Sequence, residues 1–302
     1  MLLTNPIGGR FDPAIPSSNG NPHFHWAEFS LPESPDHWIT FAEDLHKSQI
    51  KPMAFSAPLQ FNLGGHFHRD EWNQLFHTFS PLLTPEYPFL ICRGTTVTLK
   101  ELFTYLDDHP RDFHAFQDYK SHYVDRIINQ LQDLVTMAKA YGIQVILENA
   151  PMGSPFYFEP GQGHIHPALR TPRHLRRIAK ATGVKLCFDT AYARITSNAL
   201  TYMNQSRSLF AGATEKEIQH APADWNQFFS QVKSVTALIR LSSSLSWGDS
   251  PETCHIPFRP DTESELRTFL KQVSADTPIL LPFRQENQWQ EWNASLARIA
   301  KL

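Results

Sequence analysis

The chain has 302 residues, 41% hydrophobic and 19% charged, enough for one large barrel or two modest domains with a sizeable core. A formal net charge of -3 supplies no general attraction to nucleic acid or to an anionic membrane. No apolar run approaches the ~20 residues of a membrane span. The opening residues mix Pro, Gly, Asn and Ser without the basic-then-apolar order of a signal peptide, so the expected location is cytoplasmic. Cys92, Cys187 and Cys254 are odd in number and widely spaced, which points to free buried thiols rather than a disulfide framework.

Residues 1–22 read as an irregular amino-terminal segment. Phe24 to Leu31 then reads as a first strand, Pro35 to Ser48 as its helix and Lys51 to Ala57 as a second strand. A loop with Gly64-Gly65, His66 and His68 leads to a helix that Asp70 is placed to cap. Pro88 to Cys92 is a short third strand, followed by an irregular stretch. The longest helix runs from about Gln117 to Tyr141, with Val124, Ile127, Ile128, Leu131, Leu134, Val135 and Ala138 on one stripe. Ile143 to Leu147 is the fourth strand, and its long loop carries His164 and His166. Thr171-Pro172 opens the next helix, a capping residue followed by proline at the first helical position. Val184 to Phe188 is the fifth strand.

Residues 193–222 are polar and poorly periodic, the pattern of a lid, an interface or extra helices. Trp225 to Val232 (helix), Ala237 to Leu241 (strand), Glu263 to Val273 (helix), Pro278 to Phe283 (strand) and Gln288 to Ala300 (helix) complete the alternation. Seven strands are legible, and an eighth is sought between Ser250 and Phe258. No repeat or linker divides the chain, so a single β/α barrel spanning 1–302 is the economical reading.

Two acids stand out. Val145-Ile146-Leu147 runs into Glu148-Asn149, and Val184 to Phe188 runs into Asp189-Thr190-Ala191-Tyr192; a helix-length pattern and a glycine stop, Gly142 or Gly183, precede each run. Carboxylates at the carboxyl ends of parallel strands sit where such folds place their chemistry.

These motifs, with Ser56-Ala57-Pro58-Leu59-Gln60-Phe61-Asn62-Leu63, resemble the xylose-isomerase-like barrel superfamily, which holds sugar-phosphate isomerases and epimerases and the type IV apurinic endonucleases. The resemblance implies a single α/β (β/α)8 TIM barrel with a divalent metal (Zn, Mn or Mg) at its mouth. It places ligand carboxylates on Glu148 and Asp189 and retains a histidine at His255. Other ligand positions depart from the family: Ser56, Cys92, Tyr192, Arg240 and Pro282 stand where it carries ligands or their neighbours. The metal site it implies is thus partial or lost, and the three-metal endonuclease cluster cannot be assembled.

Two readings of Glu148 and Asp189 stand side by side. A divalent cation would relieve two converging carboxylates. Alternatively each pairs with an arginine, and Arg240 would then fix a substrate carboxylate or phosphate through its planar fork. His164 and His166 present two imidazoles to one side if extended, or are ordinary loop histidines. Tyr192 is a donor at the mouth or a plug. Arg170, Arg173, Arg176 and Arg177 with His174 and Lys180 form a basic helix face, fit for a phosphate at a helix start or simply solvated.

The expected function is a sugar isomerase or epimerase-like enzyme. Glu148 and Asp189 would be catalytic, and Arg240, Tyr192, Asn149, His164 and His166 would hold a small polar carbonyl or polyhydroxy substrate. Glu148, Asp189 and His255 would be the metal set. The alternative is a barrel that has lost its metal and serves as a binding or partner protein. No nucleic-acid or membrane partner is expected, and homo-oligomer formation stays open.

Overall fold

A computed structural model describes residues 5–11, 25–48, 50–112, 114–152, 163–207, 212–245, 253–282 and 288–301. Eight parallel strands close into one barrel: β1 (Ile7–Phe11), β2 (Trp26–Ser30), β3 (Lys51–Ser56), β4 (Phe89–Cys92), β5 (Gln144–Glu148), β6 (Lys185–Asp189), β7 (Thr236–Arg240) and β8 (Ile279–Leu281). Each strand pairs with its neighbours in the chain, and β8 closes against β1 through the registers Ile7↔Ile279 and Gly9↔Leu281. The helices between them are α1 (Trp38–Lys47), α2 (Arg69–Phe79), α3 (Leu99–Asp107), α4 (Ala115–Lys139), α5 (Pro172–Thr182), α6 (Thr190–Ser206), α7 (Glu215–Gln219), α8 (Trp225–Val232), α9 (Glu263–Leu270) and α10 (Gln288–Lys301).

The main core lies between strands and helices. On α4, Tyr123, Val124, Ile127, Leu131, Leu134 and Ala138 are buried at helical spacing, and full burial of each large apolar side chain stabilises by ~1.5–3 kcal/mol. Phe188 of β6 meets Phe228, Phe229 and Phe269 with ring centroids 5.6, 5.1 and 6.3 Å away, which docks α8 and α9 on that strand. Gly142 and Gly183, with φ of 69° and 74°, take the left-handed turns that separate α4 from β5 and α5 from β6.

Inside the barrel, strand alternation builds layers. Ala54, Phe89, Ile91, Ile146, Cys187, Leu238 and Leu280 pack there with Met53 as an apolar plug. Two residues further along β5, β6 and β7 the same inward face carries Glu148, Asp189 and Arg240. On these three strands those charged residues thus stand at the carboxyl end, above the apolar layer.

Several expectations change. Residues 1–22 are not wholly irregular: Ile7–Phe11 is the missing eighth barrel strand. Gly8-Gly9 and the short length hid it, and the closest approach explains the first glycine, because a Cβ on Gly8 would lie 2.9 Å from the Trp26 carbonyl oxygen. The eighth strand is therefore not between Ser250 and Phe258. Residues 246–252 lie outside the described ones, and Cys254–Ile256 pairs antiparallel with Ser243–Ser244 outside the barrel.

Of the readings lid, interface or extra helices for residues 193–222, the described residues show extra helices. Ala193 to Ser206 belong to α6, which buries Ile195, Ala199, Leu200 and Met203 in a second apolar cluster, and α7 follows. The stretch after β4 contains α3, started by a reciprocal Thr98–Glu101 capping box. The residue before α2 is His68 rather than Asp70, which lies in the first turn. Among the described residues, no helix is long and apolar enough to cross a membrane.

Candidate active site

The barrel mouth is organised around one guanidinium. Arg240, 3% exposed at the end of β7, donates from Nε and Nη2 to the two Glu28 carboxylate oxygens at 2.8 and 2.5 Å, and from Nη2 to Ser56 Oγ at 2.8 Å. Its Nη1 also pairs with Glu148 Oε1. Glu148 Oε2 accepts a second guanidinium, Arg93 Nε, at 2.6 Å. The Ser56 hydroxyl donates to Glu28 Oε1 at 2.6 Å, so β2, β3, β5 and β7 are tied through one buried network.

Burial alone would raise the Glu28 carboxyl. Arg240, then Arg10, the Ser56 hydroxyl and Arg93 outweigh it and hold Glu28 at about 2. Burial pushes Arg240 down to about 10 against the pull of Glu28, and the guanidinium stays charged at neutral pH.

Asp189 is held differently. Its Oδ1 accepts the Tyr192 backbone N–H at 3.0 Å and caps α6, which starts directly after β6. The Asn149 amide grips the Asp189 backbone from both sides, accepting its N–H at 2.6 Å and donating to its carbonyl at 3.0 Å. The other carboxylate oxygen, Oδ2, lies 3.7 Å from His255 Nδ1. The same Nδ1 is 3.1 Å from Ser242 Oγ, and the Tyr192 ring stands edge-on to the imidazole at 5.0 Å. His255 has a φ of 54°, uncommon for a non-glycine residue, and its side chain is 19% exposed. Burial, then the charges of Arg240 and Arg10, depress it to about 3, so it rests as a neutral imidazole.

The mouth thus brings Glu148 to Arg240 and His255 to Asp189 and Tyr192. Asn149, expected to contact substrate, uses its amide oxygen and its amide nitrogen on the backbone of β6 and so clamps the end of that strand. Glu148, expected as a base or ligand, is paired with two guanidinium groups, those of Arg93 and Arg240. His164 is exposed in a two-residue ribbon with Thr98. His166 is partly buried, and burial with the charges of Arg170 and Arg93 lowers it to about 4; residues 153–162 of the same loop lie outside the described ones.

Among the described residues, the donor set does not fit a divalent cation: no group of three or more His, Cys, Asp or Glu is arranged to hold a metal ion. A cation bound to Glu148 would face Arg240 and Arg93 on the same carboxylate and would be repelled by both.

Glu28 is the residue of the mouth network that the sequence did not single out. Its signal was present: a lone acid inside Trp26-Ala27-Glu28-Phe29, at an inward position of an apolar strand. Arg93 was noted only as a replaced motif position. Its side chain is 25% exposed and is the more accessible of the two mouth arginines that hold Glu148.

No family model matches this chain, and no curated protein matches it. Among solved structures, it is similar to a D-tagatose 3-epimerase-like protein, with a TM-score of 0.55 and 14% identity over 92% of this chain and 90% of that one. It is also similar to the IOLI protein with a binding zinc atom (0.53, 14%, 92% and 86%). The apo 3-keto-D-glucoside 4-epimerase YcjR from E. coli matches over 100% of both chains, with a TM-score of 0.54 and 10% identity. At these identities the likeness is one of fold: the chain folds as a single (β/α)8 barrel, as those proteins do.

Proposed function

We propose that this barrel is a sugar isomerase- or epimerase-like enzyme that takes a small carbonyl or polyhydroxy substrate at its mouth and works without a divalent metal. The observation that carries the reading is the Arg240 guanidinium seated between Glu28 and Glu148, where a fixed positive charge replaces a bound cation. His255 reaches the mouth with Asp189 behind its Nδ1. The Nε2 atom of the neutral imidazole takes a proton from the carbon beside the substrate carbonyl, and Asp189 stabilises the imidazolium that forms. Arg93 offsets the negative charge that develops on the carbonyl oxygen. Protonation of the same carbon on its opposite face, by a proton from solvent, gives an epimer; return of the proton to the neighbouring carbon, with the hydroxyl proton passing between the two oxygens, gives an isomer. The solved epimerases of the same fold support a sugar-like substrate class.

Binding without turnover is the second reading. The depressed basicity of His255 and the double pairing of Glu148 favour it. The deciding experiment incubates chelator-treated protein in D2O with a panel of ketoses and keto-sugars. Deuterium entering the carbon next to the carbonyl, and lost in His255→Asn, is the result expected of the enzyme. Saturable binding with no exchange gives the second reading, and activity that returns only with added metal overturns the metal-free mechanism.

A further inference from the structure

A groove of ≈ 680 Å³ runs down the outer wall of the barrel, away from the mouth network, between α5 and the segment from α7 to the start of β7. Arg173, Arg176, Arg177 and Lys180 lie along its α5 side, and Lys216 and His220 face them from α7 and the residue after it. Arg177 pairs with Asp125 at 2.6 Å. No ion pair joins Arg173, Arg176, Lys180 or Lys216 to an acid among the described residues. Glu217 is the acid in the wall, and Lys120 and Arg170 already neutralise it from behind.

The top of this groove is the start of α5, which is electrostatically inverted. Thr171 makes no side-chain cap, no acid lies in the first turn, and Arg173 stands at the positive end of the helix dipole. Pro172 has no N–H to offer, while the N–H groups of Arg173 and His174 fall in the first turn, where no intrahelical acceptor exists. His174 is 7% exposed and lines the groove, yet its Nδ1 has no hydrogen-bond partner. A buried ring nitrogen without a partner costs about 1–3 kcal/mol, and a ligand oxygen at the helix start would relieve it. Burial holds this imidazole neutral, with a pKa lowered to about 4, so one nitrogen carries a hydrogen to donate.

We propose that this groove binds a small oligophosphate, one terminal phosphate seated on the first turn of α5 at His174 and the rest of the chain running along Arg176, Lys180 and Lys216. The spacing suits a linear anion: Arg173 and Lys180 are two helical turns apart, ~10 Å at 1.5 Å per residue. The volume lies within the range of small-ligand sites, ~300–1,000 Å³. A helix N-terminus supplies the oriented donors and the cations supply the charge balance.

The test titrates the full-length protein with tripolyphosphate by calorimetry at low and physiological salt. Orthophosphate, a nucleoside triphosphate and a single-stranded RNA oligomer form the comparison arms. Saturable one-to-one binding of tripolyphosphate, about tenfold or more tighter than orthophosphate, is expected. Equal affinity for the nucleoside triphosphate shows that the phosphate chain alone is read, and tighter affinity shows that the groove also receives the nucleoside; both support the site. Arg176→Glu and Lys216→Glu, at exposed positions that leave the fold intact, each weaken binding about tenfold. His174→Gln keeps a buried donor and retains part of the affinity. The proposal is overturned by no saturable binding, by affinity unchanged in the two charge reversals, or by RNA binding far more tightly than any small phosphate.

Discussion

Arg240 and Glu28 meet across 212 residues of chain, and both carboxylate oxygens of Glu28 accept from the one guanidinium. Neither side chain is more than 3% exposed. The pair is a side-by-side fork, the geometry that a lysine cannot reproduce. Because Glu148 shares the same guanidinium, removing Arg240 strands charge on two strands at once.

Arg240→Leu therefore lowers unfolding stability by about 3–5 kcal/mol, the cost of leaving a buried ion without its partner. Adding Glu28→Gln to that variant restores part of the loss, because the charge left behind is removed with it. Urea denaturation of the two variants checks this. A loss below about 1 kcal/mol in the single variant would show that the network carries no net stability.

Much of the barrel was legible because its strands and helices repeat one pattern. The α4 stripe, the apolar runs of β5 and β6 and the glycine stops at 142 and 183 all carry local signals that the tertiary fold agrees with. β1 carried none: Ile7-Gly8-Gly9-Arg10-Phe11 has neither alternation nor β-branched density, and its strand conformation comes from its two neighbours. In the site, Glu148 and Asp189 were legible because each ends an apolar run. Their partners were less so. Whether a carboxylate at a strand end meets a metal or an arginine depends on which side chains cross the barrel, and Glu28 crosses from a strand far away in sequence. Asn149 shows the same limit, since its role depends on a backbone 40 residues on.

Asn149→Ala removes the acceptor and the donor that hold the Asp189 backbone. Burying a polar group without a partner costs about 1–3 kcal/mol, so a stability loss of about 2–4 kcal/mol is expected for the two groups together. Hydrogen exchange at the Asp189 amide should speed up more than exchange in the middle of β6. Unchanged protection of that amide would show that the clamp is not what orders the strand end.

Glu217 is the counter-charge for two buried cations, Lys120 and Arg170, on the outer side of the barrel. Arg170 also donates to the Met152 carbonyl at 3.1 Å and the Gly212 carbonyl at 2.5 Å, so it ties the loop after β5 to the residues before α7. Glu217→Gln should destabilise the protein by about 3–5 kcal/mol. Burial already lowers Lys120 to about 7 despite Glu217, so adding Lys120→Met to the Glu217→Gln variant recovers more stability than adding Arg170→Met does. Equal recovery by the two double variants would overturn this ordering.

Acid should destabilise the protein well before its carboxylates titrate. Burial lowers His166 and His174 to about 4 and His255 to about 3, from 6.5 in the free side chain. Below pH 6.5 the unfolded chain takes up protons that the folded one refuses, so stability is fully present above that pH and falls as pH drops toward 4. Three such groups give a slope approaching three protons near pH 5, roughly 4 kcal/mol per pH unit. Glu28 acts in the same direction lower down: its pKa of about 2 against 4.5 means that stability present above pH 4.5 is lost as pH falls toward 2. The measurement is urea denaturation at half-unit steps from pH 7.5 to 4, with proton uptake on unfolding read from the slope. His255→Asn should reduce that slope by about one proton. A stability curve that stays flat between pH 6.5 and 4.5 would show that the three imidazoles are as free to protonate in the folded protein as in the unfolded chain.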